Sequence, residues 1–428
     1  TYVNKKSKSI YRKKPYKKNL FLLGLSFGFG FYLSGISWIT NSLTFDENFK
    51  ALIPFAFILI PLFLSLFMAF TVLVVGPYLK LNVSSIIIFS FCLALSDYIR
   101  SKIFTGFPWN LWAYSTSSFN EIIQIVNPIG LYAYNLIVIT FFTLPIIIII
   151  RLSLISKTLY VIFFSLVLLS SYIYGNYKIN KNKEIISETN EKVFVKIISP
   201  NFNLKYDLSI NEIEERFKKL IRYSDPDEKQ QTLFIWPEGV FSGYSFNEIL
   251  DLKKMFQDNF SKNHLILFGV NKLDQKEGKF YNTLVIVNNH LEIIKEYNKQ
   301  KLVPFGEFLP YEKTLNKFGL KKITEGYGSF LRGKKQENII INNLNILPLI
   351  CYEIIFPSFI QRSSKDTNLI INISEDGWFG DSIGPYQHFV KAIFRAIESN
   401  TFVLRSANKG ISAIINNKGE VVKKLNIN

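Results

Sequence analysis

The sequence predicts a multi-span α-helical membrane domain followed by an α/β domain. Three observations carry that reading: long runs without a charged side chain, a basic tail ahead of the first run, and a change of pattern near residue 180. The chain has 428 residues, of which 48% are hydrophobic, so it is long enough for two domains. Residues 19–45, 51–79, 122–150 and 158–177 carry no charge, and residues 81–96 form a shorter uncharged run closed by Asp97. A spanning helix needs about 20 apolar residues, so four runs qualify and the fifth is marginal. A soluble helix of that length must turn one charged or polar face to water, which these runs lack.

Charge orders the spans. The formal net charge is +17, and residues 1–18 alone contribute +8 through Lys5, Lys6, Lys8, Arg12, Lys13, Lys14, Lys17 and Lys18. A basic flank beside a first span is a topology signal, so residues 1–18 are expected to form a cytoplasmic tail. Residues 19–178 then form about five spans, and residues 190–428 form a domain on the far side, which in a bacterium is the periplasm. Lys80, Arg151 and Lys157 fall on the cytoplasmic side, whereas Arg100 and Lys102 fall outside as a minor violation. No basic stripe with interleaved aromatics argues for nucleic acid. The two cysteines, Cys92 and Cys351, lie in different halves and suggest no disulfide framework. His264, His290 and His388 are scattered without metal-ligand spacing.

Between the third and fourth spans, residues 104–116 read FTGFPWNLWAYST. Phe107, Trp109, Trp112 and Tyr114 crowd a Gly–Pro turn. Such aromatics fit an interfacial anchor, and they equally fit the wall of a lipid-accessible groove.

After residue 180, short apolar runs at 193–199, 233–236, 265–270, 283–288, 345–351 and 368–373 read as strands. Amphipathic stretches at 209–223, 246–259 and 386–399 read as helices. Strands alternating with helices imply an α/β domain around a largely buried sheet. Three stretches at or beyond strand ends are chemically loaded: IWPEG with Glu238, YNKQKLVPFGEFLP with Lys299 and Glu307, and ICYE with Cys351, Tyr352 and Glu353. Taken alone, Cys351 fits a small buried core residue, because free cysteine is among the most buried residue types. Taken together, the three stretches supply a carboxylate to receive a thiol proton, an ammonium to offset negative charge, and a thiol.

This order of motifs, WPE, then YNKxxLVPFGE, ICYE, DGWFG and a downstream QH and RAIE, with GFPW at 106–109, resembles the apolipoprotein N-acyltransferase family, the membrane branch of the nitrilase superfamily. The resemblance implies a nitrilase-like four-layer α-β-β-α sandwich on a helical membrane domain. It implies Glu238 as general base, Lys299 as oxyanion stabiliser aided by the Tyr352 backbone N–H, and Cys351 as nucleophile, with Glu307, Tyr352 and Glu353 in support. Tyr206, Trp109 and Trp378 become substrate-contacting candidates. The implied reaction passes an acyl chain from a phospholipid to Cys351 as a thioester, then to the α-amine of an S-diacylglyceryl cysteine on an apolipoprotein. No cofactor or metal is implied. The expected setting is a monomer in the bacterial inner membrane with a periplasmic catalytic domain. Against the family pattern, Glu375 stands where an Asn is usual, Tyr206 where a Trp is usual, and the chain reads as a fragment cut at both ends. Two other readings use the same features: a membrane-tethered amidase in which water resolves the thioester, and a catalytically silent membrane protein that binds lipoproteins.

Overall fold

A computed structural model describes residues 16–150, 152–188, 194–315, 317, 328–335, 337–341, 343–363 and 366–425. The basic tail up to residue 15 lies outside them. The chain divides into two compact units, Thr1–Lys183 and Glu184–Asn428.

In the first unit, five helical stretches among the described residues are long and apolar enough to cross a membrane: Tyr16–Thr44, Glu47–Tyr78, Val83–Arg100, Leu131–Ile148 and Leu154–Lys181. Their α-helical parts are α1 (Tyr16–Ile36), α2 (Ile53–Val75), α3 (Val83–Arg100), α4 (Leu131–Thr143) and α5 (Leu154–Glu188). The uncharged run from residue 122 is not one continuous span. Two single-turn helices, Asn120–Ile123 and Val126–Ile129, precede α4. Gly130 breaks the run with a φ of 78°, which a side chain there would resist.

Small residues bring α1 and α2 together. A Cβ on Gly24 would lie 2.8 Å from the Ala69 Cα, and one on Gly28 would lie 2.9 Å from the Ser65 Cβ. Apolar helices gain little by leaving lipid for each other, so close backbone approach at small residues supplies much of the attraction.

A polar cluster ties the aromatic segment to α3 and α4. Asp97 and Arg100 pair at 2.9 Å, with side chains 4% and 1% exposed. Asn135 of α4 donates to Asp97 Oδ2 at 3.0 Å and accepts from the Ala113 N–H at 3.0 Å. Arg100 also donates to the Phe107 carbonyl and lies over the Tyr32 ring. Arg100 is therefore a neutralised structural cation and not the free loop charge its position suggested. Trp109 is 2% exposed, with its ring 4.9 Å from Trp38 and stacked 6.1 Å from Phe107. Its ring is covered within this unit, so it is not the exposed anchor that one of the two readings of this segment gave it.

The second unit holds, among the described residues, eleven strands in two sheets. The first sheet runs β1 (Phe194–Ile197), β2 (Thr232–Ile235), β3 (His264–Asp274), β4 (Lys279–Val287), β5 (Ile293–Asn298). Its first three strands are parallel and its last two antiparallel. The second sheet contains β6 (Ile339–Ile341), β7 (Leu344–Ile350), β8 (Leu369–Glu375), β9 (Phe402–Asn408), β10 (Ser412–Ile415) and β11 (Val421–Leu425), in the order β11-β10-β9-β8-β7-β6. Here β7, β8 and β9 are parallel.

Period-two alternation builds the layers. Leu233, Ile235, Leu267, Leu284 and Ile286 meet Ile346, Ile350, Ile371, Ile373 and Leu404 in one core between the sheets. Phe234, Trp236, Ile266, Phe268 and Val285 point the other way. They pack on Ile213, Phe217 and Leu220 of α6 (Ile210–Ser224) and on Phe256. A further helix, α7 (Gly384–Ser399), lies against β9 and the turn after β7. The result is the four-layer α-β-β-α sandwich. The stretch expected as a helix over 246–259 is a 3₁₀ turn, Glu248–Leu252, followed by a short helix, Lys253–Asn259.

Replacing Gly28 with Leu should lower the stability of the detergent-solubilised protein by about 1–3 kcal/mol, the usual cost of overpacking a tight contact. Thermal unfolding with and without the substitution reads this out, and an unchanged midpoint would disprove the close α1–α2 contact.

Candidate active site

Glu238, Lys299 and Cys351 each follow directly on a strand or its pairing. The Trp236 N–H donates to the Leu267 carbonyl at 2.8 Å and carries the β2–β3 pairing one residue past β2. Pro237 ends it and Glu238 follows. Gly239 has a φ of 75°, and a Cβ there would lie 2.9 Å from Glu375 Oε2. Lys299 continues β5, its N–H donating to the Asn282 carbonyl of β4 at 2.9 Å. Cys351 comes straight after β7 and starts the 3₁₀ turn Cys351–Ile355. Its φ of 48° is left-handed, a conformation that a non-glycine residue holds only where its surroundings impose it.

The Lys299 side chain is almost wholly buried, at 2% exposure. Its Nζ donates to Glu307 Oε1 at 2.9 Å and lies 3.6 Å from Glu238 Oε1. Asn282 Nδ2 donates at 2.7 Å to the same two oxygens. Glu307 is held in turn by the Val303 N–H on Oε2 at 2.8 Å. Burial works against the ammonium, but the Glu238 and Glu307 carboxylates outweigh it, and the pKa of Lys299 moves up. The Cys351 thiol moves up as well, through burial first and then the Glu238 charge. Lys299 and a hydrogen bond with Ser374 pull the other way. The resting site is thus a neutral thiol beside an ammonium clamped between carboxylates.

Glu353 joins the nucleophile turn to the lysine segment. Its Oε1 accepts from the Tyr297 hydroxyl at 2.9 Å, the Gln300 N–H at 2.7 Å and the Lys301 N–H at 3.0 Å. Its Oε2 accepts from the Ile350 N–H at 2.8 Å. Tyr352 is buried, with its ring edge-on to Phe356.

A second polar cluster lies behind Cys351. Asp376 accepts from the Ser374 hydroxyl at 2.6 Å and from Arg405 Nη2 at 2.7 Å, and His388 Nδ1 lies 2.9 Å away. His388 Nε2 lies 3.3 Å from the Cys351 carbonyl oxygen. Despite complete burial, Asp376 stays well below the usual carboxylate range because Arg405 and His388 offset the lost solvation. His388 is lowered by burial and by Arg405.

The Glu375 N–H donates to Glu238 Oε2 at 3.1 Å. Tyr206 and Trp378 face each other, with centroids 5.9 Å apart. The Tyr206 hydroxyl is raised by burial and then by Glu375, Glu238, Glu307 and Cys351, so it lies within the field of this carboxylate cluster. Glu238, Lys299, Glu307, Cys351, Tyr352, Glu353, Tyr206 and Trp378 all belong to the second unit. Trp109 belongs to the first.

Comparison with known proteins agrees with this division. Residues 206–427 match the carbon-nitrogen hydrolase family model, and residues 9–144 match that of the apolipoprotein N-acyltransferase N-terminal domain. The apolipoprotein N-acyltransferase of Brucella melitensis is 30% identical over 413 residues, spanning 94% of this chain and 77% of that protein. That of Rickettsia typhi is 33% identical over 418 residues, spanning 95% of this chain and 80% of that protein.

The chain belongs to the apolipoprotein N-acyltransferase family.

As a family member with five apolar helices of spanning length, it is a multi-pass membrane protein. Three of its site residues escaped the sequence reading: Asn282, Asp376 and Arg405. Asn282 sits inside an ordinary strand run, FYNTLV, and only pairing to β5 reveals its reach. Asp376 lay in view within DGWFG, and its partner Arg405 lies on a strand that the apolar pattern did not reveal.

Glu353→Gln should destabilise the second unit by about 2–3 kcal/mol, because the amide places a donor against N–H groups and leaves buried donors unsatisfied. Denaturant unfolding followed by tryptophan fluorescence measures the loss. A variant as stable as the parent would mean that Glu353 does not clamp the turn.

Proposed function

We propose that this chain is an acyltransferase that moves an acyl chain from a phospholipid, through a thioester on Cys351, to the N-terminal amine of an S-diacylglyceryl-cysteine apolipoprotein. The observation that carries the reading is the Lys299 ammonium held between Glu238 and Glu307 beside a cysteine in a strained turn. Family membership supports the reaction class.

In the first half-reaction Glu238 takes the Sγ proton as sulfur attacks the ester carbonyl of the phospholipid. Lys299 and the Tyr352 backbone N–H stabilise the tetrahedral oxyanion. The C–O bond breaks, and the lysophospholipid alkoxide leaves with the proton held by Glu238. In the second half-reaction the α-amine attacks the thioester, Glu238 takes the amine proton, and the C–S bond breaks. That proton then returns to the Cys351 sulfur. Glu307 and Asn282 position Lys299 and Glu238, and Tyr206 and Trp378 contact substrate. Both substrates are lipid-anchored, which accounts for a catalytic domain tied to membrane helices.

The setting we propose is the bacterial inner membrane. Residues 1–18 form the cytoplasmic tail, 19–178 the transmembrane domain, and 190–428 the periplasmic catalytic domain of a monomer. The basic tail supports this orientation, as does the pairing of Arg100 with Asp97, which removes one of the two charges that opposed it.

The test is the mass of Cys351 peptides after incubation of the detergent-solubilised protein with phospholipid alone. An acyl adduct should form on the parent and not on Cys351→Ala. A diacylglyceryl-cysteine peptide should then discharge the adduct and gain the acyl chain on its α-amine. An unmodified Cys351 together with hydrolysis of simple amides would establish the amidase reading instead.

Lys299→Arg should reduce kcat/KM by at least about 100-fold despite keeping the charge, because a planar guanidinium does not fit the compact site of an ammonium between two carboxylates. Turnover within threefold of the parent in the same transfer assay would remove Lys299 from the mechanism.

A further inference from the structure

Glu375 is a carboxyl in an unusual position. It ends β8, is 4% exposed, and sits beside Glu238, the proposed base. Each of its oxygens accepts one neutral donor: Oε1 takes the Gly377 N–H at 2.9 Å and Oε2 takes Asn408 Nδ2 at 2.8 Å. Asn408 has no freedom to turn over, because its Oδ1 accepts from the Phe202 N–H at 2.7 Å and its Nδ2 also donates to the Phe202 carbonyl at 2.9 Å.

Among the described residues, no ion pair reaches Glu375. Three of the nearby cations are engaged elsewhere. Lys299 serves Glu238 and Glu307, Arg405 serves Asp376, and Arg216 of α6, which feels Glu375 only through space, donates to the Asn203 carbonyl at 2.6 Å. The other charged or titratable groups around it are Glu238, Tyr206, Asp376 and Lys409, the residue after Asn408. Glu238, Glu307 and Glu375 crowd one site around a single buried ammonium and cannot all ionise cheaply. Glu238 has Lys299, the Asn282 amide and the Glu375 N–H to stabilise its charge. The proton therefore resides on Glu375.

We propose that Glu375 is a proton-holding positioning residue for Glu238. Its main-chain N–H fixes the base, its neutral carboxyl keeps the site's charge balance, and its ionisation switches off thiolate formation at alkaline pH. This deepens the acyltransferase reading and rests on it for the role of Glu238. Burial pushes Glu375 up to about 8, with the Asn408 and Gly377 hydrogen bonds opposing and the Glu238 and Asp376 charges adding to the rise. The raised pKa means that Glu375 is neutral below about pH 8 and anionic above it. The anion adds a negative charge beside Glu238 and disfavours both the thiolate and the oxyanion that follows from it. Asp376 is held low, whereas Tyr206 and Lys299 are raised, so none of these three changes charge between pH 7 and 9.5.

The experiment compares the full chain with Glu375→Gln, and with Glu375→Asn should the first variant misfold, in two readouts across pH 7–9.5. The first is kcat/KM for acyl transfer from phosphatidylglycerol vesicles to a diacylglyceryl-cysteine peptide. The ratio of variant to parent should rise about tenfold from pH 7 to pH 9.5, as the parent's Glu375 loses its proton and the variant's amide does not. The second is alkylation of Cys351 by iodoacetamide, resolved from Cys92 by peptide mass. At pH 9.5 it should be about threefold or more faster in the variant. Superimposable alkylation profiles, or a transfer ratio that does not change with pH, would overturn the proposal. Diverging alkylation profiles with no acyl transfer by either protein would uphold this role for Glu375 and overturn the acyltransferase reading.

Discussion

The second unit is organised around one buried ammonium. Lys299 has lost almost all contact with water, and an unpaired cation there would cost several kcal/mol. Two carboxylates meet that demand, and Asn282 stops them from repelling each other by donating to both. Each member of the group is set by a backbone contact. Lys299 pairs in register with Asn282 through the β4–β5 ladder. Glu307 is tied by the Val303 N–H, and the Phe330 N–H donates to the Glu307 carbonyl at 2.9 Å. Strand register, the PFGE loop and the charge balance are thus a single constraint, and a shift of one residue in β5 would turn Lys299 to the other face of the sheet.

Cys351 stands where two polar networks meet. One is the lysine group. The other runs from Ser374 through Asp376 to His388 and Arg405, and Arg405 also donates to Asn372 of β8. Both are buried and densely hydrogen-bonded, so each restricts its side of the thiol. Burial and the Glu238 charge keep the sulfur protonated at rest, and Lys299 is the group that makes its ionised form accessible.

Much of this was legible in the chain itself. Charge-free runs marked the spans, and the WPE and ICYE stretches drew the eye because each follows an apolar strand run, whereas Lys299 and Glu307 stood out through the order of motifs in YNKxxLVPFGE. What escaped was set by distant partners. The break before α4 comes from Gly130, which a count of charges does not register. The strands β5, β9 and β11 carry Lys295 and Glu296, Arg405 and Lys423 within them and so broke the apolar pattern used to find strands. Arg405 is buried only because Asp376 meets it, and Asn282 is chemically important only because β5 lies beside β4. The burial of Trp109 followed the same rule. Its aromatic neighbours in sequence suggested an interface, but Trp38, seventy-one positions earlier, covers it.

The left-handed backbone at Cys351 also limits which element can do the chemistry. A β-branched residue is a severe outlier at positive φ, so threonine is shut out of this position by its extra methyl group. Serine would fit the turn, but its hydroxyl is a far weaker acid than a thiol, and a carboxylate is too feeble a base to ionise it without an imidazole to assist. Threonine is thus excluded by shape and serine by proton affinity. Under the proposed mechanism, shape and proton affinity together leave the end of β7 to sulfur.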